Sequence, residues 1–118
     1  MGLQNTSPLS EFLKGKHQIP LVTSEATKDK FRAVADAIVE VTHKWERQSI
    51  KIHLVHEGVV HKLMQISKAL GIFQLLEPGT QLLFTVSAAP DNSPSVEESI
   101  GTIRHQLENA LQGKGVNS

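Results

Sequence analysis

The sequence predicts an α/β (α+β) domain, an open-faced sandwich in which a small, mostly antiparallel sheet carries three helices on one face. Three observations predict this class. Apolar residues recur at helical spacing in three segments, and they alternate with polar residues in the predicted strands. The elements follow the order strand, helix, strand, strand, short helix, strand, helix. Because the strands alternate, we expect one face of the sheet to be covered by helices and the other to be largely polar.

Composition narrows the class of protein further. A chain of 118 residues is long enough for one domain that folds without a metal or a disulfide. The formal net charge is zero, which argues against a partner such as nucleic acid or a membrane surface. The absence of cysteine excludes a thiolate nucleophile. No apolar run reaches the length of a membrane span, and residues 1–16 do not resemble a secretory signal, so we expect a cytoplasmic protein.

Residues 1–17 form an N-terminal extension with a short predicted helix. Ser7 can cap it, Pro8 suits its first position and Gly15 suits the position after its end. One face of this helix is apolar and carries Leu9, Phe12 and Leu13. A helix this short is marginal alone, so it must dock on this domain or on a partner, or fray.

The domain itself is expected to cover residues 18–113. Alternation at Ile19, Leu21 and Thr23 predicts the first strand, which Pro20 restricts to an edge or an early position. Caps between Thr23 and Thr27 then begin a helix. Its apolar stripe consists of Phe31, Ala35, Ile38, Thr42 and Trp45.

The middle of the chain alternates between short strands and turns. Residues 49–55 have period two, and Glu57-Gly58 is a turn into a brief strand at 59–60. A short helix follows, with Gly71 as its predicted stop. Its predicted buried face consists of Leu63, Ile66 and Leu70.

The last strand and helix follow a strong turn signal at Glu77-Pro78-Gly79. Leu82, Phe84 and Val86 alternate in the strand. The helix begins either at Ser93 or at Ser95, and Gly113 ends it. Its stripe consists of Val96, Ile100, Ile103, Leu107 and Leu111. Residues 114–118 are expected to be a flexible tail.

This element order resembles that of HPr, the phosphocarrier of the bacterial phosphotransferase system, over about Gln18 to Leu111. The local stretches that carry the resemblance are His43-Lys44-Trp45 with the strand after Ser49, the turn His56-Glu57-Gly58, and the run from Glu77-Pro78-Gly79 to Leu82. The resemblance implies an open-faced sandwich whose partners are other proteins of that system.

The resemblance does not extend to the residues that carry the family's chemistry. In that family a histidine that opens the first helix accepts the phosphoryl group beside a nearby arginine. Here Phe31 stands in the place of that histidine and Ala33 in that of the arginine, while Arg32 is adjacent. The family's regulatory serine corresponds to Gln65, and Ser67 lies two residues later as a candidate phosphorylation site.

We therefore expect a catalytically inactive HPr-like protein, without a cofactor, that acts as a regulatory or adaptor module. Its expected partner is another protein, either a component of the phosphotransferase system or a transcriptional regulator. The predicted docking surface includes the N-terminal helix and the side chains of Phe31, Arg32, Leu63, Ser67 and Lys68.

Two alternatives come from different classes of protein. The first is a phosphocarrier, or an enzyme that binds a metal or small ligand, built on a non-standard histidine. His53, His56 and His61 lie in or beside one hairpin and could converge with Glu57. The second is a self-associating structural module, a homo-oligomer in which the N-terminal helix covers a neighbouring subunit.

A cluster of apolar residues follows the short helix, at Ile72, Phe73, Leu75 and Leu76. Most apolar residues at such corners are buried, so the favoured interpretation is that they close the core. The alternative is that they contribute to a docking patch.

Overall fold

A computed structural model describes residues 16–88 and 93–113 of the chain. In chain order the elements are β1 (His17–Val22), α1 (Glu25–Asp29), α2 (Phe31–Glu46), β2 (Ile50–His56), β3 (Val59–His61), α3 (Ile66–Phe73), β4 (Gln81–Ala88) and α4 (Ser93–Leu111). The predicted extension up to residue 15 and the predicted tail at 114–118 lie outside the described residues. None of the described helices is long and apolar enough to cross a membrane.

The four strands form one sheet in the order β1-β4-β2-β3, and every neighbouring pair is antiparallel. Strand β4 is central, with Phe84 opposite Ile19 on β1 and Leu54 on β2. This arrangement confirms the predicted open-faced sandwich. The described part of the chain contains one helix more than the three predicted, because the first predicted helix is divided in two.

The hydrophobic core lies between one face of the sheet and the helices. The strand residues in this core alternate along their strands, as the period-two pattern predicts. They are Ile19, Leu21, Ile50, Ile52, Leu54, Leu82, Phe84 and Val86. Against them pack Val34, Ile38 and Val41 from α2, and Ile103 and Leu107 from α4.

The division between α1 and α2 falls at Lys30, whose backbone leaves the helical region with φ −122° and ψ 35°. The amide of Lys30 still donates to the carbonyl of Ala26, and its own carbonyl accepts from the amide of Val34. Thr27 in α1 donates its hydroxyl to the carbonyl of Leu111 at the far end of the chain. This tertiary bond orients α1 separately from α2.

Both predicted turns are confirmed by backbone geometry. Glu57 and Gly58 both have positive φ, 52° and 78°, which is typical of the type I′ turn that joins two strands by two residues. Gly79 has φ 91° and follows Pro78, and the amide of Thr80 donates to the carbonyl of Glu77. These features define a type II turn, which favours glycine at that position.

The prediction that Gly71 ends the short helix is wrong. Helix α3 continues through Gly71 to Phe73 because Ile72 and Phe73 bury their side chains in the core. Burial of two large apolar side chains outweighs the roughly 1 kcal/mol cost of a glycine inside a helix. Leu63 is buried as predicted, although it precedes the helix rather than lying on it.

Helix α4 begins at Ser93, the earlier of the two predicted starts. Its last helical residue is Leu111, and Gly113 follows with φ 79°. The amide of Gly113 donates to the carbonyl of Ala110. A glycine of positive φ directly after a helix is a common C-terminal stop, so the predicted end is confirmed.

Candidate functional site

Helix α3 presents one side to the core and the other to solvent. Ala69, Ile72 and Phe73 are buried. Ser67, Lys68 and Gly71 are exposed, and a Cβ atom added to Gly71 would meet nothing within 4 Å. The outer side of α3 is therefore a flat surface from which one cationic side chain, Lys68, protrudes.

Two exposed apolar side chains flank this outer side. Met64 precedes the helix and is 37% exposed, and Leu75 follows it and is 75% exposed. The eight residues of α3 span about 12 Å. We refer to Met64, Ser67, Lys68, Gly71 and Leu75 together as the α3 surface.

The apolar cluster that the sequence places after the short helix is divided between the core and the surface. Ile72, Phe73 and Leu76 are buried in the core, as the favoured interpretation predicts. Leu75 points outward and contributes to the α3 surface. The sequence singled out the cluster as a whole, but its apolar composition gave no signal that separates Leu75 from its neighbours.

The predicted docking residues divide into three groups. Ser67 and Lys68 are exposed on α3, and Arg32 is exposed on α2. Phe31 is half-buried and packs against the core. Leu63 is a correction, because its side chain belongs to the core and does not reach any surface.

Arg32 lies far along α2 from the start of the α3 surface at Met64. His43, on the same helix, lies within hydrogen-bond distance of the start of this surface: its Nε2 is 3.1 Å from the carbonyl oxygen of Met64. Arg32 precedes His43 by eleven residues, which corresponds to about 16 Å along the helix axis. The start of the α3 surface at Met64 therefore lies beside the second half of α2, away from Arg32.

The side of α2 next to His43 is polar. A shallow depression there is lined by Asp36, Val39, Glu40, His43, Glu46 and Arg47. The carboxylates of Asp36, Glu40 and Glu46 outnumber the single guanidinium of Arg47 along it, so its formal charges are mainly negative. The Met64 end of the α3 surface is thus bordered on the α2 side by charged groups.

A cleft that shares Met64 with the α3 surface lies beside strand β2. Strand β3 pairs only with residues 54–56, so residues 50–53 have no strand neighbour on that side within the described part of the chain. The cleft has a volume of about 260 Å³. Its lining residues are Thr42, Glu46, Lys51, Ile52, His53, Lys62 and Met64.

His53 is the titratable group of most interest in this cleft. Burial lowers the pKa of its imidazole below the ordinary value of 6.5. The positive charges that lower it further belong to Lys62, Lys16 and Lys51, while Glu46 opposes them. At neutral pH the ring is therefore uncharged, and lysine ammonium groups that can attract an anion lie near it.

The three hairpin histidines do not converge. His61 lies opposite Leu54 on the helix-covered face, and His56 is two residues from Leu54 on that same face. His53 has the other parity and lies opposite Thr85 on the second face. Among residues 16–88 and 93–113, no group of three or more histidine and acidic side chains could hold a metal ion. The geometry thus gives the predicted metal alternative no support.

Burial also lowers the pKa of His61, and the neighbouring charges of His56 and Lys68 act in the same direction. His61 is therefore electrostatically close to the α3 surface, since Lys68 belongs to it.

No protein-family model, no curated protein and no solved structure matches this chain.

Proposed function

We propose that this chain is a protein-binding module, an inactive HPr-like protein that regulates or adapts another protein in the cytoplasm through the α3 surface. The observation that carries the proposal is the exposure of two large apolar side chains, Leu75 and Met64, at the two ends of α3. Exposed apolar side chains that border charged groups are typical of protein-interaction sites.

The energetics of this surface suit a modest, specific contact. Burial of one leucine side chain contributes roughly 1.5–3 kcal/mol. Leu75 is 75% exposed in the free protein, so most of that contribution is available to a partner. The small residues Ser67 and Gly71 between the two apolar ends allow a partner backbone or helix to approach α3 closely.

The side chains of the α3 surface indicate which properties its partner must have. Leu75 and Met64 require an apolar groove or patch, and Lys68 adds a positive charge that favours an acidic rim. The HPr resemblance in the sequence supports a component of the phosphotransferase system or a transcriptional regulator as the class of partner. In either case binding, and not catalysis, is the activity.

Ser67 offers a route to regulation of this contact. It is exposed and occupies the second position of α3, directly before Lys68. A phosphoryl group there would be stabilised by the helix N-terminus and would reverse the local charge of the surface. We expect Ser67→Asp to weaken binding of a partner with an acidic rim, and Ser67→Ala to leave it unchanged.

The proposal is tested on the affinity of an isolated partner, captured by crosslinking and then purified. Leu75→Ser should weaken binding by about tenfold or more, since about 1.4 kcal/mol corresponds to a factor of ten. The matched control is Val59→Ser, an exposed apolar residue on β3 outside the α3 surface. Equal affinities of the Leu75→Ser variant and the wild-type protein would contradict the proposal.

Charge-reversal variants distinguish the contributions of Lys68 and Arg32 to the affinity for the partner. Lys68→Glu should weaken the complex, and Arg32→Glu should have little effect because Arg32 lies far along α2 from the start of the α3 surface, the end at which Lys68 lies. If the Arg32→Glu, Lys68→Glu double variant keeps full affinity, this surface does not bind the partner. Loss with Arg32→Glu alone would move the site to the start of α2.

A second candidate function is a phosphocarrier that uses His53. The specific observation is the neutral imidazole in a cleft with Lys51 and Lys62, since a neutral ring nitrogen can accept a phosphoryl group and ammonium groups can hold it. Incubation with phosphoenolpyruvate and Enzyme I, followed by intact mass measurement, tests it. A phosphoryl adduct that disappears in His53→Ala but persists in His105→Ala would establish this function and overturn the first proposal. No adduct, with authentic HPr labelled in parallel, excludes it.

A further inference from the structure

The second face of the sheet, opposite the helices, carries residues of the other parity. Its central residue is Thr85 on β4, which lies between Gln18 on β1 and His53 on β2. Two residues along β4, Leu83 lies between Pro20 and Val55. Val55 in turn lies opposite Val60 on β3. We call this set the second face.

The centre of the second face is more buried than an open sheet face should be. Thr85 is 0% exposed and Val55 is 6% exposed, yet neither belongs to the core cluster on the helix-covered face. The sequence pattern predicts a largely polar, solvated face at this position. Leu83 and Val60 are also only partly exposed, so an apolar row crosses three strands.

The hydrogen bonding of the Thr85 hydroxyl also indicates that the second face is less solvated than an open sheet face. Its Oγ1 atom is buried and has no hydrogen-bond partner among the described residues. On a solvated face this hydroxyl would bond to water, and loss of that bond has a free-energy cost. Such a cost is tolerated where the burial of neighbouring apolar groups offsets it. An element that covers this face would provide that burial.

We infer that residues 1–15 of this same chain form that covering element and pack across the second face. The segment enters the sheet directly at β1, whose first residue, His17, lies opposite Val86 on β4. Thr85 is the next residue of β4 in the ladder and hence lies beside the point of entry. The cover and the face are therefore adjacent in the chain and in space.

The length and pattern of the segment match the face. The distance from β1 to β3 across the sheet is about 14 Å at a strand spacing of about 4.8 Å. The predicted helix over residues 8–14 spans about 10 Å, which is the two strand spacings from Leu83 on β4 to Val60 on β3. Its apolar face carries Leu9, Phe12 and Leu13, which are suited to the row formed by Leu83, Val55 and Val60.

Cysteine labelling in the full-length chain tests this inference, because the natural sequence contains no cysteine. Thr85→Cys places a thiol at the centre of the second face, and Gln81→Cys places one at an exposed position of the same strand and face. We expect an aromatic disulfide reagent to label Thr85→Cys at least about a hundredfold more slowly. Adding Leu9→Glu and Phe12→Glu should raise its rate by about tenfold or more.

The control changes the other side of the predicted helix. Ser10→Glu with Lys14→Glu should leave the labelling of Thr85→Cys slow, and circular dichroism checks that each variant folds. Equal labelling rates of Thr85→Cys and Gln81→Cys in the otherwise natural chain would overturn the inference. So would slow labelling that is insensitive to Leu9→Glu with Phe12→Glu.

A second measurement identifies the chain that supplies the cover. We expect a nuclear Overhauser effect between the ring of Phe12 and the methyl groups of Leu83 within one chain, in a protein that light scattering shows to be monomeric. A mixture of isotope-labelled and unlabelled chains distinguishes contacts within a chain from those between chains. Contacts found only between chains would overturn the inference and assign the second face to a homo-oligomer.

Discussion

The indole nitrogen of Trp45 donates a hydrogen bond of 2.7 Å to the side-chain oxygen of Gln106. Trp45 lies near the end of α2 and Gln106 lies in the middle of α4, and both side chains are buried. A buried polar group has a free-energy cost unless it is hydrogen-bonded. This bond therefore favours one relative position of the two helices, the one in which Trp45 and Gln106 meet.

We expect Gln106→Leu to lower the free energy of unfolding by about 1–3 kcal/mol, because it leaves the indole N–H buried without a partner. Urea unfolding followed by tryptophan fluorescence measures this, since Trp45 is the single tryptophan of the chain. The control is Gln112→Ala, an exposed residue just after the same helix. An effect no larger than that of the control would show that the bond does not contribute to stability.

Thr27 connects α1 to the end of α4. Its hydroxyl donates to the carbonyl of Leu111 at 2.7 Å and accepts from the amide of Ser24 at 3.2 Å. Thr27→Val keeps the shape but removes both bonds, so we expect a loss of about 1–2 kcal/mol. Thermal unfolding compares it with Thr102→Val, whose exposed hydroxyl makes one long bond of 3.5 Å. Similar losses in the two variants would contradict this role of Thr27.

Gly71 and Gly79 make a matched pair. Gly71 lies inside α3, is exposed, and has room for a Cβ atom. We expect Gly71→Ala to stabilise the protein by about 0.5–1 kcal/mol. Gly79 has φ 91° in a turn, so Gly79→Ala should destabilise it by about 1 kcal/mol or more even though nothing blocks the added atom. Chemical denaturation of both variants checks the signs, and destabilisation by Gly71→Ala would mean that α3 does not continue to Phe73.

Stability should depend on pH through His53 and His61. Burial lowers the pKa of both rings below 6.5 in the folded protein, so below that pH the unfolded chain binds more protons than the folded one. The stabilising effect is therefore fully present above pH 6.5 and is lost as the pH falls below it. We expect the free energy of unfolding to decrease between about pH 7 and pH 5.

Substitution identifies the groups responsible. The decrease should be smaller in His53→Gln, and smaller again in His53→Gln with His61→Gln. His105→Gln, which changes an exposed ring on α4, is the control and should leave the slope as it is. Equal slopes in the wild-type protein and in the double variant would show that these two rings do not set the pH dependence.

The period of the apolar residues predicted most of the architecture. The stripe through Phe31 and Trp45 is the core-facing side of α2, and the alternation at Leu82, Phe84 and Val86 is the core-facing side of β4. Turn chemistry predicted the positive φ at Gly58 and Gly79. These features depend on residues that are close together in the chain, so the local sequence is enough to predict them.

The candidate site was only partly predictable. Ser67 and Lys68 are exposed as the predicted docking surface requires, whereas Leu63 is in the core and Arg32 lies at the other end of α2. The exposure of Leu75 next to buried Leu76 depends on where α3 ends. That end is set by packing of Ile72 and Phe73 against the sheet.

The sequence by itself determined the class of fold, the elements and their turns, because helical and strand periodicity and glycine conformation are local properties of the chain. Only the tertiary structure decided the break at Lys30, the continuation of α3 through Gly71, the pairing that puts His61 opposite Leu54, and the burial of Thr85. Each of these depends on contacts between residues far apart in sequence, such as Thr27 with Leu111. Free energies of packing that exceed local preferences by a few kcal/mol determine them.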